Sequence, residues 1–176
     1  MSPQPGLDLH AHVDPNIDPR ELSRLGVVFA ATRSLDEADT ATKRDDDHTI
    51  WGVGCHPGLV GAHKGFDIER FASLITRTAF VSEIGLDGKS RVPLATQQAT
   101  LDSILAILQQ APRIASLHSY GATDHVIAAL ERRPIKGAIL HWWLGDAGET
   151  RRAVEMGCFF SVNASCVRRT YLLNLI

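Results

Sequence analysis

At 176 residues, 44% of them hydrophobic, the chain is long enough for one domain around a sizeable core. A formal net charge of −2 excludes a broad basic surface that holds nucleic acid by counterion release, so metals and a few local Arg or Lys would have to hold any phosphate-bearing substrate. Three spaced cysteines (Cys55, Cys158, Cys166) without a Cys-x-x-Cys pair, no apolar run near the ~20 residues of a membrane span, and no signal-peptide core at 1–6 point to free thiols, a cytoplasmic location and no membrane role.

Strand and helix signals alternate from end to end, the pattern of a parallel sheet with crossover helices. The first strand, over 7–10, leads into Asp8-Leu9-His10-Ala11-His12. Asp18-Pro19-Arg20-Glu21 then offers an N-cap, a proline at the first helical position and a capping-box Glu, with Gly26 as the stop. Strand two covers 26–30. Ser34-Leu35-Asp36-Glu37 opens a short polar helix that ends near the acidic run 45–47, read as a solvated loop. Strand three covers 50–54 and is followed by the tight loop Cys55-His56-Pro57-Gly58; Cys55 reads as a small buried residue. Asp67 caps a helix to about Arg77, strand four covers 79–83, and a loop with glycine and charges covers 85–91. A long helix over about 94–110 places Leu101, Ile104, Leu105 and Leu108 at core spacing. Strand five ends at His118 with a helix over 123–132, and strand six ends at His141 with a helix over 149–156. Strand seven covers 158–162, and 168–176 starts one more helix. With no repeat or linker, 1–176 reads as a single domain with seven strands and no eighth.

The chemistry lies at the strand ends. Alternation puts Asp8, His10 and His12 on one face, so two imidazoles converge as a pair of metal ligands must. Three other apolar strands also end in a metal-capable side chain: Glu83, His118 and His141. Strands that each deliver one ligand at the C-terminal end describe the mouth of a TIM-type (β/α) barrel. His10 and His12 would hold one divalent cation, Glu83 would bridge, and His118 and His141 would hold a second. Two such ions can clamp both oxygens of an in-line displacement. Asp8, below His10 on the same face, reads as orienting an imidazole, and Asp87 as doing so from its loop. Arg33, Lys89 and Arg91 sit on top-side loops where they could meet phosphates, while His48, His63 and His125 read as surface residues.

These motifs resemble the TatD family of metal-dependent hydrolases, within the amidohydrolase-like barrels. The resemblance rests on Asp8-x-His10-x-His12, Gly54-Cys55-His56-Pro57, Glu83-Ile84-Gly85-Leu86-Asp87, Gln97, Leu117-His118-Ser119, His141-Trp142-Trp143-Leu144-Gly145, and Gly157 before Phe159-Phe160-Ser161. It covers essentially the whole chain. It implies a (β/α)8 barrel, a dinuclear centre of Zn, Mg or Mn, and hydrolysis of phosphodiesters in DNA, with some members acting instead on D-aminoacyl-tRNA. It makes His10, His12, Glu83, His118 and His141 ligands, Glu83 catalytic as well, and places a catalytic His56 beside the metals. Trp142 and Trp143 replace a Cys-Phe pair common in the family; Trp142 could stack on a base, and one of the two should fill the core.

One departure stands out. The resemblance implies a further aspartate ligand in a Glu-Thr-Asp motif at the end of strand eight, but 158–176 holds neither Asp nor Glu. The chain is therefore expected to lack the eighth strand, which leaves the first and seventh with open edges. A truncated hydrolase, a barrel completed by a second copy or a protein partner, and an open sheet with a weakened first metal site all fit; Asp146 and Asn163 are the candidate substitute ligands. The competing function is a non-catalytic metal-binding subunit of a multi-protein assembly, such as an anti-phage system.

Overall fold

The computed structural model describes residues 6–162. In chain order its elements are β1 (Leu7–Ala11), α1 (Pro19–Leu22), β2 (Val27–Ala30), α2 (Leu35–Ala41), β3 (Thr49–Trp51), β4 (Val53–Gly54), α3 (Val60–Lys64) and α4 (Ile68–Leu74), which runs into a 3-10 turn, Ile75–Arg77. Then follow β5 (Phe80–Gly85), α5 (Leu94–Gln110), β6 (Ile114–His118), α6 (Thr123–Arg132), β7 (Ala138–Leu140), α7 (Ala147–Glu155) and β8 (Phe159–Phe160). The predicted strand three is split at Gly52, so β3 and β4 are two halves of one stave. Gly52 N–H still reaches Ala30 O on β2 at 2.8 Å, and its carbonyl accepts Thr32 Oγ1 at 2.7 Å.

Every strand pair is parallel, in the orders β1-β2-β3 and β4-β5-β6-β7-β8, so neighbours in sequence are neighbours in the sheet. Parallel strands joined by helices wind in one hand, and here they curl far enough for the first to meet the sixth and the end of the seventh across the interior. His10 of β1 places Nδ1 3.0 Å from Ser116 Oγ on β6, and its ring stacks on that of His141, the residue after β7. This is the TIM-like barrel arrangement. Among the described residues β1 pairs only with β2 and β8 only with β7. The expected helix over 168–176 and the candidate Asn163 lie outside the described residues.

The main core sits between the strands and the outer helices: Phe71 of α4, Leu101, Ile104, Leu105 and Leu108 of α5, and Ile127 of α6 are all fully buried against Val81, Ile84 and Leu117. A smaller cluster of Leu22, Val28, Ala30, Ala41 and Trp51 supports the β1–β3 end. Here the acidic run departs from expectation. Asp46 is no solvated charge: it accepts from Arg44 at 2.7 and 2.9 Å and from Trp51 Nε1 at 2.7 Å, fixing the turn before β3. The Arg44 guanidinium holds the Asp46 carboxyl below the usual carboxylate range despite its burial. Helix α1 stops at Leu22 with Ser23 as its cap, short of Gly26. Helix α7 begins two residues earlier than its sequence signal. Asp146 caps it, accepting from Glu149 N–H while the Glu149 carboxylate takes Asp146 N–H. Asp146 is therefore committed to a capping box and is not a substitute metal ligand.

Candidate metal centre

Two bulges aim the donors. The β1–β2 register slips between Asp8 and Ala11, and the β5–β6 register slips between Val81 and Ile84. His10 lies inside the first irregularity. Glu83 lies inside the second, with φ at 45°, in the left-handed region that side chains other than glycine rarely adopt. A bulge adds local twist and re-aims a side chain. The Glu83 carboxylate is consequently turned into the barrel mouth, 2% exposed.

Four imidazoles surround that carboxylate and divide its oxygens. Oε2 lies 2.5 Å from His10 Nε2 and 3.3 Å from His12 Nε2. Oε1 lies 3.3 Å from His118 Nδ1 and 3.7 Å from His56 Nε2. Two groups result, His10–His12–Glu83 and His56–Glu83–His118, each with its ligand atoms within 4.8 Å of one another. Burial raises the Glu83 carboxyl, but His10, His118 and His12 outweigh it and hold it ionised, well below the usual range. His12 is raised, mainly by the Glu83 carboxylate beside it.

The donor set fits divalent cations. Among the described residues His10 Nε2, Glu83 Oε2 and His118 Nε2 are buried with no hydrogen-bond partner, although His10 Nε2 and Glu83 Oε2 face one another closely. Buried polar groups are normally satisfied, and such orphans point to an ion. The hydrogen bonds also assign tautomers. His12 Nδ1–H donates to Ala31 O at 3.3 Å, which leaves the Nε2 lone pair turned toward Glu83. His56 is the reverse. Its Nδ1 accepts Gly58 N–H at 2.9 Å, so the neutral ring carries its proton on Nε2 and presents a donor to the centre in place of a lone pair. Burial lowers the His56 pKa and so favours that neutral ring.

Other expected residues fall in more varied places. His141, expected beside His118 on a second cation, lies in neither donor group among the described residues. It stacks on His10, with centroids 3.7 Å apart and planes 23° apart. Burial, then the neighbouring His10, pushes its pKa down to about 3, and a neutral ring can stack on another imidazole without repulsion. Asp87 Oδ2 lies 3.6 Å from His118 Nε2. Asp8 does not orient an imidazole. The bulge breaks the alternation that would have put it on the ligand face, and it stays exposed, accepting the backbone N–H of His10 at 3.0 Å. Arg33 lines an open cleft of about 560 Å³ beside His12, but its guanidinium is engaged by Glu37 at 2.8 Å. Arg91 and Lys89 are exposed. Cys55 is buried as expected, whereas His63, read as a surface residue, is half-buried and bonds Thr100 and Pro57 O. Trp143 is the core member of its pair and Trp142 the exposed one.

Three supporting residues escaped the sequence reading of roles. Ser116, 2% exposed, takes the far nitrogen of His10, and its only sequence signal is that it lies two residues before His118, on the same strand face. Ser161 Oγ lies 3.4 Å from His141 Nδ1. Gln97, equally buried, clamps the loop after β5. Its Oε1 accepts Asp87 N–H at 2.7 Å, and its Nε2 donates to Val92 O at 2.8 Å and Asp87 O at 3.0 Å.

Comparisons with known proteins bear on the fold and the family. YJJV, a TatD homologue from Escherichia coli K12, superposes with a TM-score of 0.75 at 21% identity, over 88% of this chain and 66% of that one. A TatD family hydrolase from Entamoeba histolytica gives 0.74 at 15% identity, over 98% and 69%. The chain thus spans about two thirds of the length of these relatives, just under that share for the first, and at such identities they show the fold. No curated protein matches the chain. Residues 7–173 match the family described as TatD related DNase, and the chain belongs to that family.

Proposed function

We propose that this protein is a metal-dependent hydrolase that cleaves phosphodiester bonds in DNA. The observation that carries the reading is the division of the Glu83 carboxylate, one oxygen facing His10 and His12, the other facing His118. A carboxylate so placed could bridge two cations. His10, His12 and Glu83 would hold one, and Glu83 and His118 would hold the other, with His141, which stacks on His10 outside both groups, as a further ligand if its ring turns toward the ions. The imidazoles suit Zn, while the carboxylate is a ligand for Mg and Mn as well. When bound, the pair supplies charge stabilisation and an activated water at neutral pH.

The chain's own residues do the rest. Glu83 is held ionised by the surrounding imidazoles, so both of its oxygens would be available to cations. His56 directs Nε2–H into the centre and donates to an anionic phosphate oxygen, where charge accumulates during displacement. Its neutrality follows from burial, and the Gly58 hydrogen bond fixes its orientation. Gln97 holds the loop that carries Asp87, which lets Asp87 steady His118.

The test is hydrolysis of single- and double-stranded DNA by protein stripped of metal and reloaded with Zn, Mg or Mn. Activity that needs the added ion and disappears in Glu83→Ala is the expected result. Cleavage that survives chelation would overturn the reading, and so would a reloaded protein that binds two ions yet cleaves no phosphodiester. Release of a D-amino acid from tRNA by that protein would put the ester reading in its place.

A further inference from the structure

Among the described residues, two other than glycine hold φ in the left-handed region: Glu83 at 45° and Trp142 at 46°. The first aims a metal donor. Trp142 has no ligand atom, yet it is held just as firmly. Its N–H donates to Ser161 Oγ at 3.1 Å, and the next N–H, that of Trp143, donates to Ser161 O at 3.0 Å. Trp143 is anchored in turn: it is 2% exposed, Nε1–H donates to Thr150 Oγ1 at 2.8 Å, and a Cβ on Gly145 would overlap its ring.

Strain of this kind is kept where the surroundings over-determine it, and it concentrates at ligand-binding sites. Burial does not repay it here, because Trp142 is 53% exposed. The indole stacks on His141 with centroids 4.7 Å apart and planes 27° apart, and His141 stacks on His10. The row of rings therefore starts at a donor of the metal centre and ends in an aromatic face open to solvent. A ligand suited to that row carries a flat ring and an anionic group in one molecule, the anion reaching the cations while the ring lies on the indole.

We infer that the open face of Trp142 is a stacking platform for the base of a nucleotide whose phosphate is held at the metal centre. The inference rests on the phosphodiester reading above and adds a determinant for a base next to the bound phosphate. Base–aromatic stacking tolerates any base, and its loss on substitution with alanine weakens binding about 5- to 150-fold.

Trp51 and Trp143 are 4% and 2% exposed, so acrylamide quenching of the intrinsic fluorescence reads Trp142. The experiment compares dAMP with 2-deoxyribose 5-phosphate on the Mg-loaded or Zn-loaded protein, both ions being spectroscopically silent. The expected result is that dAMP shields Trp142 from acrylamide while the sugar phosphate does not. The dissociation constant for dAMP should rise about 5- to 150-fold in Trp142→Ala and stay within about threefold in Trp142→Phe. That for the sugar phosphate should be the same in all three proteins. If Trp142→Ala binds dAMP as tightly as wild type, or dAMP leaves quenching unchanged while bound, the platform is refuted and the phosphate site stands. If neither compound binds at millimolar concentration, the platform falls together with the phosphodiester reading.

Discussion

Replacing Ser116 by alanine removes one oxygen from the barrel interior, and its cost can be worked from three observations. Ser116 is 2% exposed, its Oγ lies 3.0 Å from His10 Nδ1, and the His10 side chain is itself only 7% exposed. At so buried a position Nδ1–H is expected to lose its partner without replacement, at a cost of about 1–3 kcal/mol. The ring also loses the contact that fixes its tautomer and keeps Nε2 toward Glu83. Loss of such a partner behind a ligand weakens metal affinity about 10–100-fold. If the centre holds the two ions proposed above, they should respond unequally. Only the one held by His10 and His12 should weaken, since His118 and His56 approach the other Glu83 oxygen. Competition between the apoprotein and a chromophoric chelator, titrated with zinc, resolves the two steps, and urea denaturation reports the folding cost separately. A Ser116→Ala protein with both ions bound as tightly as in wild type and an unchanged unfolding midpoint would refute the reasoning.

Other consequences follow from the same geometry. His118→Ala and Glu83→Ala should each abolish phosphodiester hydrolysis, while Asp87→Ala should lower it only about 10–100-fold because Asp87 acts through His118; equal losses at all three in a steady-state assay would contradict that order. Gly85→Ala should lower stability by about 1–3 kcal/mol in urea denaturation, because φ is 124° there and a Cβ would overlap the His118 backbone; an unshifted midpoint would count against it. Burial pushes the Cys55 thiol up to about 12 from an ordinary 9.0. Folded Cys55 therefore keeps its proton where the unfolded chain loses it, so this stabilisation is complete below pH 9.0 and is lost as pH rises toward 12. At pH 8 iodoacetamide should alkylate Cys55 only after unfolding, and rapid alkylation of the native protein, read by peptide mass, would refute the burial.

What the sequence disclosed follows from how each feature is encoded. The staves and outer helices were legible because burial imposes a period: Leu101, Ile104, Leu105 and Leu108 recur at helical spacing and all four are buried. The candidate donors stood out as residue types at strand ends, and the structure gathers His10, His12, His118 and His56 around the Glu83 carboxylate while leaving His141 outside both groups. Alternation failed at the bulges. A bulge adds a residue to one strand against its neighbour, and nothing in Asp8-Leu9-His10-Ala11 or Val81-Ser82-Glu83-Ile84 announces it. Asp8 was thus assigned to a face it does not occupy, and Glu83 acquired an aim that no period predicts. Side-chain partnerships between distant positions were illegible for a related reason. Ser116 and His10 are 106 residues apart, and a serine on a strand carries no mark of the imidazole it will meet. Asp46 with Trp51 and Arg33 with Glu37 are local pairs, five and four residues apart, where an ordinary charge proves to be taken by a neighbour. The residues whose roles required the structure are those that work by strain or by long-range pairing. They cluster at the barrel mouth because a donor atom there must be aimed to within a fraction of an ångström, a tolerance finer than strand alternation alone provides.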